Sequence, residues 1–119
     1  MIRTNYSNPP THGASVVSAV LNNPELRAMW EEELGEMRDR IRTMRQTMVE
    51  QLAAFGAKRD FSFVARQRGM FSYSGLSAEQ VDRLKDEFGI YAVGTGRICV
   101  AALNNGNIET VTRAIVQVL

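Results

Sequence analysis

Apolar positions in the first half of the chain follow a helical period. Leu26, Trp30, Leu34, Met37, Ile41, Met44, Met48 and Leu52 recur at steps of four and three, one stripe along a single long helix. Asn23-Pro24 supplies its N-cap and first helical residue, and Gly56 its C-terminal stop. Glu31, Glu32, Glu33 and Glu36 precede Arg38, Arg40, Arg42 and Arg45, an order that favours the helix dipole and predicts a Glu36–Arg40 pair. Ahead of this helix, Val16, Val17, Val20 and Leu21 predict a shorter one that stops at Asn22-Asn23.

After Gly56 the period shortens. Phe61, Phe63 and Ala65, then Phe71 and Tyr73, alternate with other residues and predict two strands separated by Arg66-Gln67-Arg68-Gly69. Ser77-Ala78-Glu79-Gln80 is a capping box with Leu76 and Val81 as its staple, so a helix carrying Val81, Leu84 and Phe88 runs to Gly89. Residues 90–93 and 98–101 read as short strands around Gly94-Thr95-Gly96-Arg97. Ile108, Val111, Ile115 and Val118 mark a last helix. The expected fold is α/β of the mixed α+β kind, a small sheet covered by helices, with one very long helix in the N-terminal half.

That helix would measure about 45 Å, whereas a compact domain of this length is about 35 Å across. A second domain or subunit is therefore expected to cover part of its stripe. A coiled coil is the alternative, although the stripe is rich in methionine rather than leucine and isoleucine.

The 119 residues suffice for one domain. With 14 Lys+Arg against 13 Asp+Glu the net charge is +1, and nothing points to nucleic acid or an anionic membrane as partner. No apolar run reaches a membrane span and no signal peptide is visible. A lone cysteine, Cys99, sits among apolar neighbours, reads as buried and fits a cytoplasmic setting. The single histidine, His12, and Cys99 give no metal-ligand spacing, and the glycines near Gly94 form no nucleotide fingerprint.

Arg97 stands out because it leads from a Gly-x-Gly turn into an apolar strand. Its planar fork suits a carboxylate held bidentately, and from pattern alone a ligand arginine and a structural pair both remain open. Phe71 and Tyr73 read as sheet or core residues as readily as pocket walls. The opening stretch IRTNYSNPPTHG, residues 2–13, has little to bury and reads as the edge of a site.

NYSNPPTHGASVV, MRDRIRTMRQ, RGMFSYSGLSAEQVDRLKDEFGIYAV and GRICVAALN together resemble the C-terminal part of aspartate and aromatic amino-acid aminotransferases of fold type I, which use pyridoxal phosphate. The resemblance covers essentially the whole chain and implies the small domain of such an enzyme, with residues 1–22 belonging to the large domain and active-site loop and residues 24–55 forming the interdomain helix. It implies amino transfer between aspartate or aromatic amino acids and 2-oxoglutarate by a cytoplasmic homodimer.

By the same resemblance Arg97 binds the substrate α-carboxylate and Phe71 lies near that clamp. Arg3 reaches the neighbouring subunit's site to meet a distal carboxylate, and Ser7 and Asn8 follow it near the partner's cofactor phosphate. Thr95 replaces the serine usual before Gly96-Arg97. The family's catalytic lysine lies upstream of YSNPP, and neither Lys58 nor Lys85 matches its motif. The chain therefore reads as a fragment with no catalytic residue or metal of its own, expected to be inactive and to bind no cofactor alone. The alternative is a non-enzymatic oligomerisation module built on the long helix.

Overall fold

A computed structural model describes residues 10–119. In chain order they form α1 (Thr11–Asn22), α2 (Pro24–Ala54), α3 (Ser62–Arg66), β1 (Phe71–Tyr73), α4 (Ala78–Phe88), β2 (Arg97–Cys99), a 3-10 turn (Val100–Ala102) and α5 (Ile108–Val118). The chain divides into two compact units, Met1–Met37 and Arg38–Leu119.

The long helix forms for the reasons its sequence carries. Asn23 Oδ1 accepts from the backbone N–H groups of Glu25 and Leu26 at 3.0 and 3.1 Å, so the cap is made by the expected side chain. At the far end Gly56 has φ +88. The Ala57 N–H donates to Leu52 O and the Gly56 N–H to Ala53 O. These are the two bonds of a Schellman motif, which only a residue at ease with positive φ closes cheaply. The Glu36–Arg40 pair does not form: Arg40 donates to the carbonyls of Ala101 and Leu103 at 2.9 and 3.2 Å.

In the first unit, α1 buries none of its residues, and Val16, Val17, Leu21, Leu26, Met29 and Trp30 are all exposed. Leu26, Trp30 and Met37 of the stripe are thus uncovered by the described residues of this unit, and Leu34 is half-buried.

In the second unit the stripe is used. Met44, Met48 and Leu52 of α2 are buried with Val64, Leu76 and Val100, and with Leu84 of α4 and Ile115 of α5. Each such side chain contributes roughly 1.5–3 kcal/mol by leaving water. The capping box of α4 is complete: Gln80 N–H donates to Ser77 Oγ, and Ser77 N–H to Gln80 Oε1. Leu76 and Val81, the expected staple, are both buried, and Gly89 ends the helix in the left-handed region at φ +65.

The sheet is smaller than expected. Among the described residues it has two antiparallel strands, with Phe71 opposite Cys99, Ser72 opposite Ile98 and Tyr73 opposite Arg97. The strand expected at residues 61–65 is instead the helical turn α3. Asp60 causes this: its carboxylate accepts from the backbone N–H and the hydroxyl of Ser62, both at 2.8 Å, which starts a turn where alternation alone suggested extension. Phe61 and Val64 are then buried three residues apart, a helical spacing. Residues 90–93 contribute only the bridge of Val93 to Arg97. The strand expected at residues 98–101 turns into the 3-10 segment after Cys99. Cys99, expected to be buried, is half-buried.

Candidate functional site

Residues paired across antiparallel strands share a face, and alternate residues oppose. The register therefore puts Phe71 and Tyr73 of β1 with Arg97 and Cys99 of β2 on one face, and Ser72 with Ile98 on the other. The aromatic face is the open one. Phe71 is 43% exposed and Tyr73 58%, whereas Ser72 is 2% exposed and Ser74 fully buried. Hydropathy alone would invert this strand.

The reason lies in what the serines bind. Arg45, on the buried stripe of α2, is 3% exposed and reaches under β1. Its Nη1 donates to Ser72 Oγ at 2.9 Å and Val64 O at 3.2 Å. Its Nη2 donates to Gly69 O at 2.7 Å and Phe71 O at 2.8 Å. Burial lowers the Arg45 pKa from its ordinary value, since no carboxylate among the described residues offsets the lost hydration. Ser72 Oγ also donates to Gln67 Oε1. That oxygen accepts from Tyr73 N–H at 2.9 Å, and Gln67 Nε2 donates to Tyr73 O at 3.0 Å. A buried guanidinium so satisfied fixes the strand that holds its acceptors.

Arg97 is fixed by its neighbours in sequence. Gly96 has φ +78, and a Cβ there would lie 2.6 Å from the carbonyl oxygen of Leu76. No other residue fits that turn without displacing buried backbone. The Gly96 carbonyl accepts from Ser74 N–H at 2.8 Å and Ser74 Oγ at 2.6 Å. Val93 N–H donates to Arg97 O at 3.1 Å.

The guanidinium of Arg97 then lies over the Phe71 ring, with Cζ 4.9 Å from the centroid. The ring attracts the cation without occupying its N–H groups. Arg97 makes no ion pair with any described residue, although arginines 27, 42, 83 and 113 all do. A planar cation over an aromatic ring, exposed and with no side-chain hydrogen bond to any described residue, suits a bidentate carboxylate.

The structure thus brings Arg97 and Phe71 together. Arg3, Ser7 and Asn8 lie outside the described residues. A basic cleft of about 830 Å³, lined by Arg38, Arg42, Arg66 and Arg68, is separate from this pair. Sequence reading missed Arg45 by grouping it with the solvated arginines. Its signal was present: it stands four residues after Ile41 and three before Met48, on the apolar stripe.

The sequence model of the family described as aminotransferase class I and II matches residues 1–115. An aspartate aminotransferase of Pseudomonas aeruginosa is 83% identical over all of this chain, which covers 30% of that protein. An aromatic-amino-acid aminotransferase of Escherichia coli is 52% identical over 99% of the chain and 30% of its own length. The crystal structure of an aromatic-amino-acid aminotransferase from Burkholderia pseudomallei, covalently bound to pyridoxal phosphate, superposes with a TM-score of 0.95. It is 69% identical over 99% of this chain and 30% of that one. The chain spans just under a third of the length of these relatives.

Proposed function

The chain belongs to the class I and II aminotransferases, and from that premise we propose that it is the C-terminal, small-domain part of an enzyme exchanging amino groups between aspartate or aromatic amino acids and 2-oxoglutarate. The observation that carries this reading is the Arg97 fork lying over Phe71 with no ion pair to any described residue. Every amino-acid and 2-oxo-acid substrate carries a carboxylate next to its reacting carbon. Clamping that group by two parallel hydrogen bonds orients the bond to be broken, as amino transfer requires.

Residues 1–22 then belong to the large domain and active-site loop, and residues 24–55 are the helix joining the two domains. The division of the chain between Met37 and Arg38, inside α2, supports such a link. The uncovered Leu26, Met29 and Trp30 support a further body packing there.

Pyridoxal phosphate, when bound, withdraws electrons from the substrate carbon. The described residues fit the substrate side of such a site better than the cofactor side. Lys85 pairs with Asp86 at 3.5 Å on the surface, and Lys58 lines a small cleft with Arg59 and Asp60. Neither lysine joins the Arg97 group, so the lysine that carries the cofactor lies elsewhere in the enzyme. Ser7 and Asn8 would hold the cofactor phosphate of a second subunit, and Arg3 the distal carboxylate of its substrate, which makes the working unit a homodimer. A cytoplasmic location fits the same reading. Among the described residues no helix is long and apolar enough to cross a membrane.

The test is to assay the full-length enzyme for 2-oxoglutarate-dependent loss of the amino group from aspartate, tyrosine and phenylalanine. Glutamate formed in equal amount supports the reading. No transfer from any of the three, with cofactor bound, overturns it.

A further inference from the structure

We propose that Arg45 is a positioning residue for the carboxylate clamp, holding β1 against the long helix so that Phe71 presents a fixed plane to Arg97. The inference rests on the reading of Arg97 as that clamp. Two short strands cannot hold a side chain still by their own ladder, because an isolated two-stranded sheet is marginal in water. Something outside the sheet must fix it. Arg45 takes the carbonyl oxygens of Gly69 and Phe71 and the hydroxyl of Ser72, three acceptors within four residues of β1 or its approach. Five residues earlier on the same helix, Arg40 takes the carbonyls of Ala101 and Leu103, just past β2. β1 and the segment that follows β2 are therefore both tied to α2 by guanidinium groups.

The choice of residue is informative. A buried side chain serving only the core would be apolar, as Met44 and Met48 are beside it. Burying a guanidinium costs desolvation, which the four hydrogen bonds offset. In return the Phe71 carbonyl is held at 2.8 Å, directly on the backbone of the residue whose ring lies under Arg97. A methionine would fill the space and leave these carbonyls without a donor.

The test uses the full-length holoenzyme. Arg45→Met is expected to raise the KM of every amino-acid substrate and the dissociation constant of succinate about tenfold, while kcat changes less than about threefold. Arg45→Lys keeps the charge without the fork and should recover part of the loss. Ser72→Ala removes one acceptor of Arg45, together with the donor to Gln67, and no buried charge. It should weaken succinate about threefold and decides the matter if Arg45→Met does not fold. In an Arg97→Lys background Arg45→Lys should add nothing further, which a general loss of stability would not reproduce. If Arg45→Lys and Ser72→Ala leave succinate binding within about twofold while Arg97→Lys weakens it, the positioning role is overturned and the clamp stands. If Arg97→Lys itself has no effect, the clamp reading fails and the positioning role with it.

Discussion

Arg97 stacks on Phe71 across the sheet although the two are not a register pair: Phe71 faces Cys99, and Arg97 faces Tyr73. Diagonal neighbours on one face are far enough apart for a long side chain to lie flat over a ring. A direct pair would be too close for that, and Tyr73, the direct partner, forms no such contact. The first expectation concerns this diagonal. Phe71→Ala should leave the strand intact and free the fork to turn, weakening carboxylate binding by about 1 kcal/mol, or roughly fivefold. Phe71→Tyr should keep the stack. Titrating each variant with succinate checks both.

Gly96→Ala should be worse than its size suggests. The added methyl meets Leu76 backbone at 2.6 Å, and the turn needs φ +78. Relief requires moving the chain at a residue that is 3% exposed, so stability should fall by about 2 kcal/mol or more and carboxylate affinity with it. A denaturant melt beside a succinate titration measures the two losses together.

Ser77→Ala tests the opposite case, a structural feature outside the clamp. Losing the cap should cost about 1 kcal/mol and speed amide exchange in the first turn of α4. Transamination below the melting range should not change. A fall in activity matching the Phe71→Ala loss would mean that α4 also supports the clamp.

Asp60 gives a pH dependence. The N–H and hydroxyl of Ser62 bind its charged form and hold its pKa below the usual carboxylate value. Its contribution to stability is therefore fully present above the pKa of an unfolded aspartate and is lost as pH falls through the lower, folded value. Asp60→Asn keeps an acceptor for the Ser62 N–H and should abolish this dependence while retaining much of the turn. The carboxyl carbon shift of Asp60 should titrate below that of a free aspartate.

The parts of the fold legible in the sequence are those whose ends are written in local chemistry. Asn23-Pro24, Gly56, the Ser77–Gln80 box and Gly89 each act within a few residues, and each delimits a helix as expected. The misread parts have two causes, a local side chain that overrides the alternation and partners distant in sequence. Phe61, Phe63 and Ala65 alternate like a strand, yet Asp60 starts a turn there. Ser72 of β1 and Ser74 just after it are buried only because Arg45, 27 residues before the first, and Gly96, 22 residues after the second, are their partners. The candidate site was half legible: Arg97 announced itself by its Gly-x-Gly turn, whereas Arg45 looked like one more basic residue on a charged helix.

The proposed role of Arg97 is to bind the carboxylate common to every substrate. It is tested most directly by comparing kcat/KM of Arg97→Lys with that of the unaltered enzyme for aspartate, tyrosine and phenylalanine. Exchanging a planar fork for a point charge should cost about 3 kcal/mol, a loss of roughly a hundredfold that is equal for all three. A loss confined to aspartate would contradict the claim, because Arg97 would then be reading the distal carboxylate instead.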